Sequence, residues 1–209
     1  MGNHRQEHSG RSGAALILRL AAPYLAVGVF WCVFHHAWLA ILAYHAQILW
    51  WAGGTRRPLA KPRSTRTTLV ILPSALAGPA LGVLLPHIAR TDPAAWLDRH
   101  HLTGASMLMM TLYFGLVHPV LEQVHWAPLR ERTPVAHAAF AGYHALVLYT
   151  FLPVAWLAAC LVVLCLASWG WQRMVRASES LLPAIVSQAV ADLGVVLLAT
   201  LGISGADVL

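Results

Sequence analysis

Charge is what this sequence has least of. Only 11% of its 209 residues are Asp, Glu, Lys or Arg, against roughly 25% in an ordinary soluble domain. So few charges cannot clothe a water-facing surface, which excludes a soluble globular fold. Cysteine is scarce too: Cys32, Cys160 and Cys165 all lie in apolar runs, where they read as small packing residues. That excludes a disulfide scaffold and a cysteine-based zinc motif. A leader cleavage site is also missing. The first thirteen residues are polar and carry Arg5 and Arg11, and no small-residue cleavage pattern follows the apolar stretch after them. An uncleaved first span is expected, not a signal peptide.

Hydrophobic side chains make up 58% of the sequence, and the mean hydropathy is +0.63. Apolar runs near the length a bilayer requires, about 17 to 25 residues, recur along the chain. The expected fold is all-α, a single polytopic membrane bundle of about seven transmembrane helices, near 14–34, 36–53, 67–89, 103–126, 136–152, 154–172 and 181–202. Residues 1–13 form a polar N-terminus and residues 203–209 a short tail. Trp38, Trp50 and Trp51 are placed as interfacial anchors of the second span. Pro73, Pro79 and Pro86 predict a kinked third span. Pro153 predicts a tight hairpin between the fifth and sixth, and Ser180 with Pro183 predicts the start of the last.

The basic residues orient this map. With the N-terminus in the cytoplasm, inside segments hold Arg5, Arg11, Arg56, Arg57, Lys61, Arg63, Arg66, Arg130, Arg132, Arg173 and Arg176, whereas outside loops hold only Arg90 and Arg99. Arg19 lies within the first span. This is a strong positive-inside bias, and it puts the C-terminus on the far side. The net charge of +6 is accounted for by that bias and requires no nucleic-acid partner. The basic loop from Thr55 to Arg66 is expected to meet anionic lipid headgroups.

Ionisable groups within spans are costly and mark function by default. They concentrate in the second half. In HPVLEQVHW, His118, Glu122 and His125 fall at i, i+4 and i+7, on one helix face. In HAAFAGYH, His137, Phe140 and His144 share a face; in SQAVAD, Gln188 and Asp192 are one turn apart. Glu122, His144, Asp192 and Gln188 are therefore expected to meet in one cavity as a functional site. His118, His125 and His137 also fit interhelical hydrogen-bonding roles. His45, in YHAQ, is ambiguous, and the pairs His35, His36 and His100, His101 carry no assigned role.

These motifs resemble the CPBP family of intramembrane proteases, also called the CAAX protease or Abi family. Its pattern is a Glu-Glu pair followed by an Arg, then Phe-x-x-x-His, then His-x-x-x-Asn or Asp, on successive helices. HPVLEQVHWA resembles the first motif, FAGYH matches the second, and SESLLPAIVSQAVADL resembles the third. The likeness covers about residues 103–202, which would form a four-helix core, with 14–102 supplying the N-terminal membrane helices. Gln123 stands in place of the second Glu, Ala127 in place of the Arg, and Gln188 in place of the third-motif His. In the family, the Glu and the second-motif His are thought to activate a water, and the third motif to stabilise the oxyanion.

The resemblance implies a glutamic-type intramembrane endopeptidase in the bacterial inner membrane, needing no cofactor or metal, with membrane lipids and a membrane-associated peptide or protein substrate as partners. By that carry-over Glu122 and His144 hold the water, and Gln188 and Asp192 line the oxyanion side. A neutral amide such as Gln188 is a legitimate oxyanion donor. Gln123, being neutral, is expected to bind no positive group, and its lost charge is read as matched by the missing Arg at Ala127. Two other readings stand beside this one. One is a scaffold of the same fold that has lost catalysis. The other is a His-rich metal or haem protein using His118, Glu122, His125 and His144, although their spacing suits no single-helix site.

Overall fold

The computed structural model describes residues 3–52 and 72–206. Every regular element among them is helical. Helix α1 (Asn3–Val27) widens into a π-helical turn (Gly28–Val33); then come α2 (Ala37–Ala52), α3 (Leu72–Ala75), α4 (Ala77–Ile88) and α5 (Pro93–Arg99). The second half holds α6 (Gly104–Leu116), α7 (His118–Arg132), α8 (Val135–Leu148), α9 (Val154–Ser178) and α10 (Leu182–Ala206). The basic loop from Thr55 to Arg66 lies outside the described residues, as does the start of the expected third span.

The protein is membrane-embedded. Three stretches are long and apolar enough to cross a bilayer: Gly13–Val33, Gly104–Arg132 and Val154–Ser178. Val135–Leu148 and Leu182–Leu197 are apolar but shorter. The distribution of polarity agrees. Large apolar side chains such as Ile17, Leu108, Val162 and Leu166 face outward, while Glu122, Gln123, Arg130 and Gln188 are buried. A hydrocarbon solvent favours this arrangement, because outward apolar groups then cost nothing and polar groups must satisfy one another inside.

Prolines set the breaks. Pro79 has no N–H for the Ala75 carbonyl one turn earlier, and the third segment divides at Leu76, between α3 and α4. Pro119 likewise frees the Gly115 carbonyl, and α6 passes into α7 at Val117, which keeps right-handed helical angles (φ −92°, ψ −46°). The combined α6–α7 stretch runs on to Arg132, beyond the expected end at 126. Pro153 follows the turn after α8, as expected, and α9 extends to Ser178. There Glu179 adopts a left-handed conformation (φ 54°) and closes the helix. Ser180 Oγ then accepts from the Leu182 N–H at 3.1 Å, opening α10.

Helix α10 packs on α4, α6, α7 and α9; α1 packs on α2 and α8; α2 packs on α7. Helix α7 is thus enclosed on several sides, and its polar face points into the protein.

Candidate functional site

The polar face of α7 begins with Glu122, which has no exposed surface. Its Oε1 accepts hydrogen bonds from the Tyr44 hydroxyl on α2, at 2.7 Å, and from the Tyr143 hydroxyl on α8. Its Oε2 accepts from the Gln188 side-chain amide on α10 at 2.6 Å, and His118 Nε2 lies 3.4 Å away. Four helices therefore converge on one carboxylate. A charge so far from water requires such donors, since hydrogen bonds and dipoles must replace hydration. The Tyr44 hydroxyl is held in turn by the Trp126 indole N–H at 2.7 Å.

His144 follows Tyr143, which donates to Glu122, and the Tyr143 and His144 ring centres lie 4.1 Å apart. His144 Nδ1 lies 2.9 Å from the Phe140 carbonyl one turn earlier. A carbonyl only accepts, so Nδ1 carries the ring proton and Nε2 keeps the lone pair. Among the described residues Nε2 makes no hydrogen bond. Asp192 lies one turn beyond Gln188 on α10, and its Oδ2 is buried without a hydrogen-bond partner among the described residues. Thus Glu122 and Gln188 are joined directly, His144 adjoins the Tyr143 that donates to Glu122, and Asp192 follows Gln188 by one turn.

On its other side Gln188 leads to a cation. Its Oε1 accepts from Gln123 Nε2 at 2.6 Å, and Gln123 Oε1 accepts from Arg130 Nη1 at 2.9 Å. Arg130 Nε donates to Ser168 Oγ at 2.8 Å. The guanidinium lies 5.2 Å from the Phe140 ring centre and 5.6 Å from that of Trp171, distances at which an aromatic face attracts a cation. His137 and Gln172 complete this shell: His137 Nδ1 meets Ser168 Oγ at 2.9 Å, its Nε2 meets Gln172 Oε1 at 3.1 Å, and Gln172 Nε2 donates to the Arg130 carbonyl at 2.7 Å.

Two expectations are corrected here. Arg130 is no cytoplasmic surface charge; it is 2% exposed. Gln123 does bind a positive group, through its carbonyl oxygen, and the arginine comes from position 130 while Ala127 packs in the core. Charge is needed there because the two glutamine amides must be oriented, and a donor-only group at one end does that.

The chain matches no protein-family model, no curated protein and no solved structure.

The histidines divide into separate settings. His118 joins the Glu122 cluster. His137 belongs to the Arg130 shell. His125 turns toward α1, where its Nε2 meets the Arg19 carbonyl at 3.1 Å. Pro23 explains that contact: lacking an N–H, it leaves the Arg19 carbonyl one turn earlier without a helical donor. Among the described residues no group of three or more His, Cys, Asp or Glu side chains is arranged to hold a metal ion.

Three contributors were not assigned to the site from the sequence: Tyr44, Tyr143 and Arg130. Tyr143 precedes His144 within FAGYH, where its hydroxyl next to a histidine was the available signal. Tyr44 adjoins His45 on an otherwise apolar helix, and that local polarity was the available signal. Arg130 was hidden by its nearness to Arg132, which made both resemble loop charges.

Proposed function

We propose that this chain is an intramembrane hydrolase of peptide bonds, with its reaction centre between Glu122 and His144. The observation that carries the reading is a fully buried Glu122 carboxylate bonded by Tyr143, whose ring centre lies 4.1 Å from that of His144, a ring whose Nε2 lone pair is available. A water held beside that nitrogen attacks the substrate carbonyl carbon while its proton passes to Nε2. Glu122 stabilises the imidazolium that forms. When the tetrahedral intermediate collapses, the C–N bond breaks and the same proton goes to the leaving amine. Gln188 Nε2 keeps one N–H on Glu122 and has a second with which to donate to the oxyanion. The likeness of the motifs to the CPBP proteases supports the same assignment, as does their order along the chain.

This reading includes seven spans, an N-terminus in the cytoplasm of a bacterial cell, and a membrane-associated peptide or protein as substrate. The basic-residue bias supports the orientation. Reporter fusions near residue 60 and at the C-terminus should lie on opposite sides.

A second reading has its own observation. Glu122 has no exposed surface and is already bonded by Tyr44, Tyr143 and Gln188, as in a carboxylate retained to hold helices together. A scaffold of this kind would keep its cellular role in the Glu122→Gln, His144→Ala double variant. The hydrolase would lose cleavage of a membrane-anchored peptide in either single variant, with no further loss in the double, because both residues act on one water. Stable expression with unchanged cleavage would end the hydrolase reading.

A further inference from the structure

Glu122 also meets a line of ionisable side chains that takes no part in the chemistry above. His118 Nε2 lies 3.4 Å from Glu122 Oε2. On the opposite edge of that ring, His118 Nδ1 lies 3.0 Å from His45 Nε2. His45 Nδ1 then lies 2.8 Å from the Tyr113 hydroxyl. His45 is 2% exposed and His118 is 4% exposed, while Tyr113 on α6 is half-buried.

The direction of this line is fixed from one end. His118 Nε2 faces the carboxylate at 3.4 Å, an electrostatic contact longer than a hydrogen bond; the negative charge favours the N–H on that nitrogen, which leaves Nδ1 of the neutral ring as a lone pair. His45 Nε2 must then donate to it, which leaves His45 Nδ1 as an acceptor for the Tyr113 hydroxyl. Each member offers one proton toward Glu122 and one lone pair away from it. Hydrogen bonds at 2.8 and 3.0 Å link the tyrosine hydroxyl and the two imidazoles, and the 3.4 Å contact brings the line to Glu122, an alternation along which a proton can pass.

We propose that Tyr113, His45 and His118 form a proton path between the Glu122 carboxylate and the half-buried surface at Tyr113. One transfer moves the Tyr113 proton to His45 Nδ1, the His45 Nε2 proton to His118 Nδ1, and the His118 Nε2 proton to Glu122. Tyr113 lies within the membrane-crossing Gly104–Arg132 stretch, so it regains its proton from a water that penetrates to its hydroxyl, and exchange with ²H₂O reads that access. One proton has entered, Glu122 holds it, both rings remain neutral with their tautomers exchanged, and no oxidant or further reactant is needed. Ring reorientation or the reverse transfer resets the line. The path depends on where Glu122 sits and not on peptide hydrolysis, so it stands or falls separately from that reading.

The test is solid-state NMR of the full chain, labelled with ¹⁵N-histidine in lipid bilayers. Both His45 and His118 should be neutral Nε2–H tautomers, and the His118 Nε2–H should exchange with ²H₂O faster than the backbone amides at the centre of α7. His45→Phe keeps a ring of similar size, and Tyr113→Phe removes only the hydroxyl. Each should slow that exchange at least tenfold, while His125→Phe, outside the line, should leave it unchanged. A resting Nδ1–H tautomer at His118 overturns the proposal, and so does exchange that neither variant slows. If the variants do not fold, the wild-type tautomers and exchange rate decide, and exchange as slow as the α7 amides overturns it.

Discussion

Arg130 and Glu122 lie on the same helix, about 12 Å apart at 1.5 Å per residue, and are connected through two glutamines and not by direct contact. Arg130 donates to Gln123, Gln123 to Gln188, and Gln188 to Glu122. A donor-only cation at one end and an acceptor-only carboxylate at the other leave a single self-consistent orientation for both amides. Each bond in such a chain polarises the next, which strengthens the Gln188–Glu122 bond.

Arg130→Met should therefore disturb more than its own surroundings. It leaves Gln123 Oε1 without its donor and removes the hydrogen bond to Ser168. Each buried polar group left unsatisfied costs about 1–3 kcal/mol. Arg130→Lys keeps the charge but cannot reach both partners in a fixed fork, and should lose less. Unfolding in one detergent, followed for wild type and both variants, checks the order: wild type, then Lys, then Met.

Gln123→Glu introduces a second acidic residue beside Glu122, and it should weaken the site. The new carboxylate pairs with Arg130 but has no N–H for Gln188 Oε1. Gln188 must then turn over, presenting its oxygen to Glu122. The expected outcome is a folded protein with reduced cleavage, read by the same peptide assay as Glu122→Gln. Activity above wild type would contradict the amide orientations.

Two glycines make a matched pair. A methyl group added at Gly142 would strike the Tyr24 hydroxyl, which donates to the Ala139 carbonyl at 2.9 Å and fastens α1 to α8. At Gly170, within α9, no atom lies within 4 Å of the added carbon. Gly142→Ala should destabilise by about 1–3 kcal/mol, the cost of overpacking. Gly170→Ala should stabilise by about 0.5–1 kcal/mol, through helix propensity. Parallel unfolding curves with shifts of opposite sign are the expected result.

His100, in the turn between α5 and α6, supplies a pH dependence. Its ring stacks on Trp31 at 4.0 Å between centres, and its Nδ1–H donates to the Trp96 carbonyl at 2.7 Å. Burial holds its pKa below the ordinary 6.5; His35, Arg99 and His101 act in the same direction, and the Trp96 carbonyl opposes them. The neutral ring is thus the one that fits. Its contribution is complete above pH 6.5 and declines as pH falls from there toward the lower folded value. An NMR titration of the His100 ring should give a midpoint under 6.5, and one at or above it would contradict the packing.

Where the hydrophobic pattern is long and prolines punctuate it, helix positions could be read from residues alone. The break near Pro79, the hairpin at Pro153 and the start of α10 after Ser180 are such cases, because proline's missing N–H and a serine cap act within a turn of chain. So are Glu122, Gln188 and Asp192: a carboxylate or amide in an apolar run is costly anywhere in a membrane, whatever it touches. The partners of these groups could not be read. Tyr44 reaches Glu122 across 78 residues and Gln188 across 66, and no local pattern reports such a meeting. Arg130 shows the same division. Its sequence neighbours made it a loop cation, and only the packing of α7 against α8 and α9 decided that it would be enclosed by Phe140, Trp171 and Ser168. The sequence by itself determined which side chains must avoid lipid, because transfer free energy belongs to the residue. The tertiary structure decided which of them satisfy one another, because hydrogen bonds require two groups at one point in space and a direction for each proton.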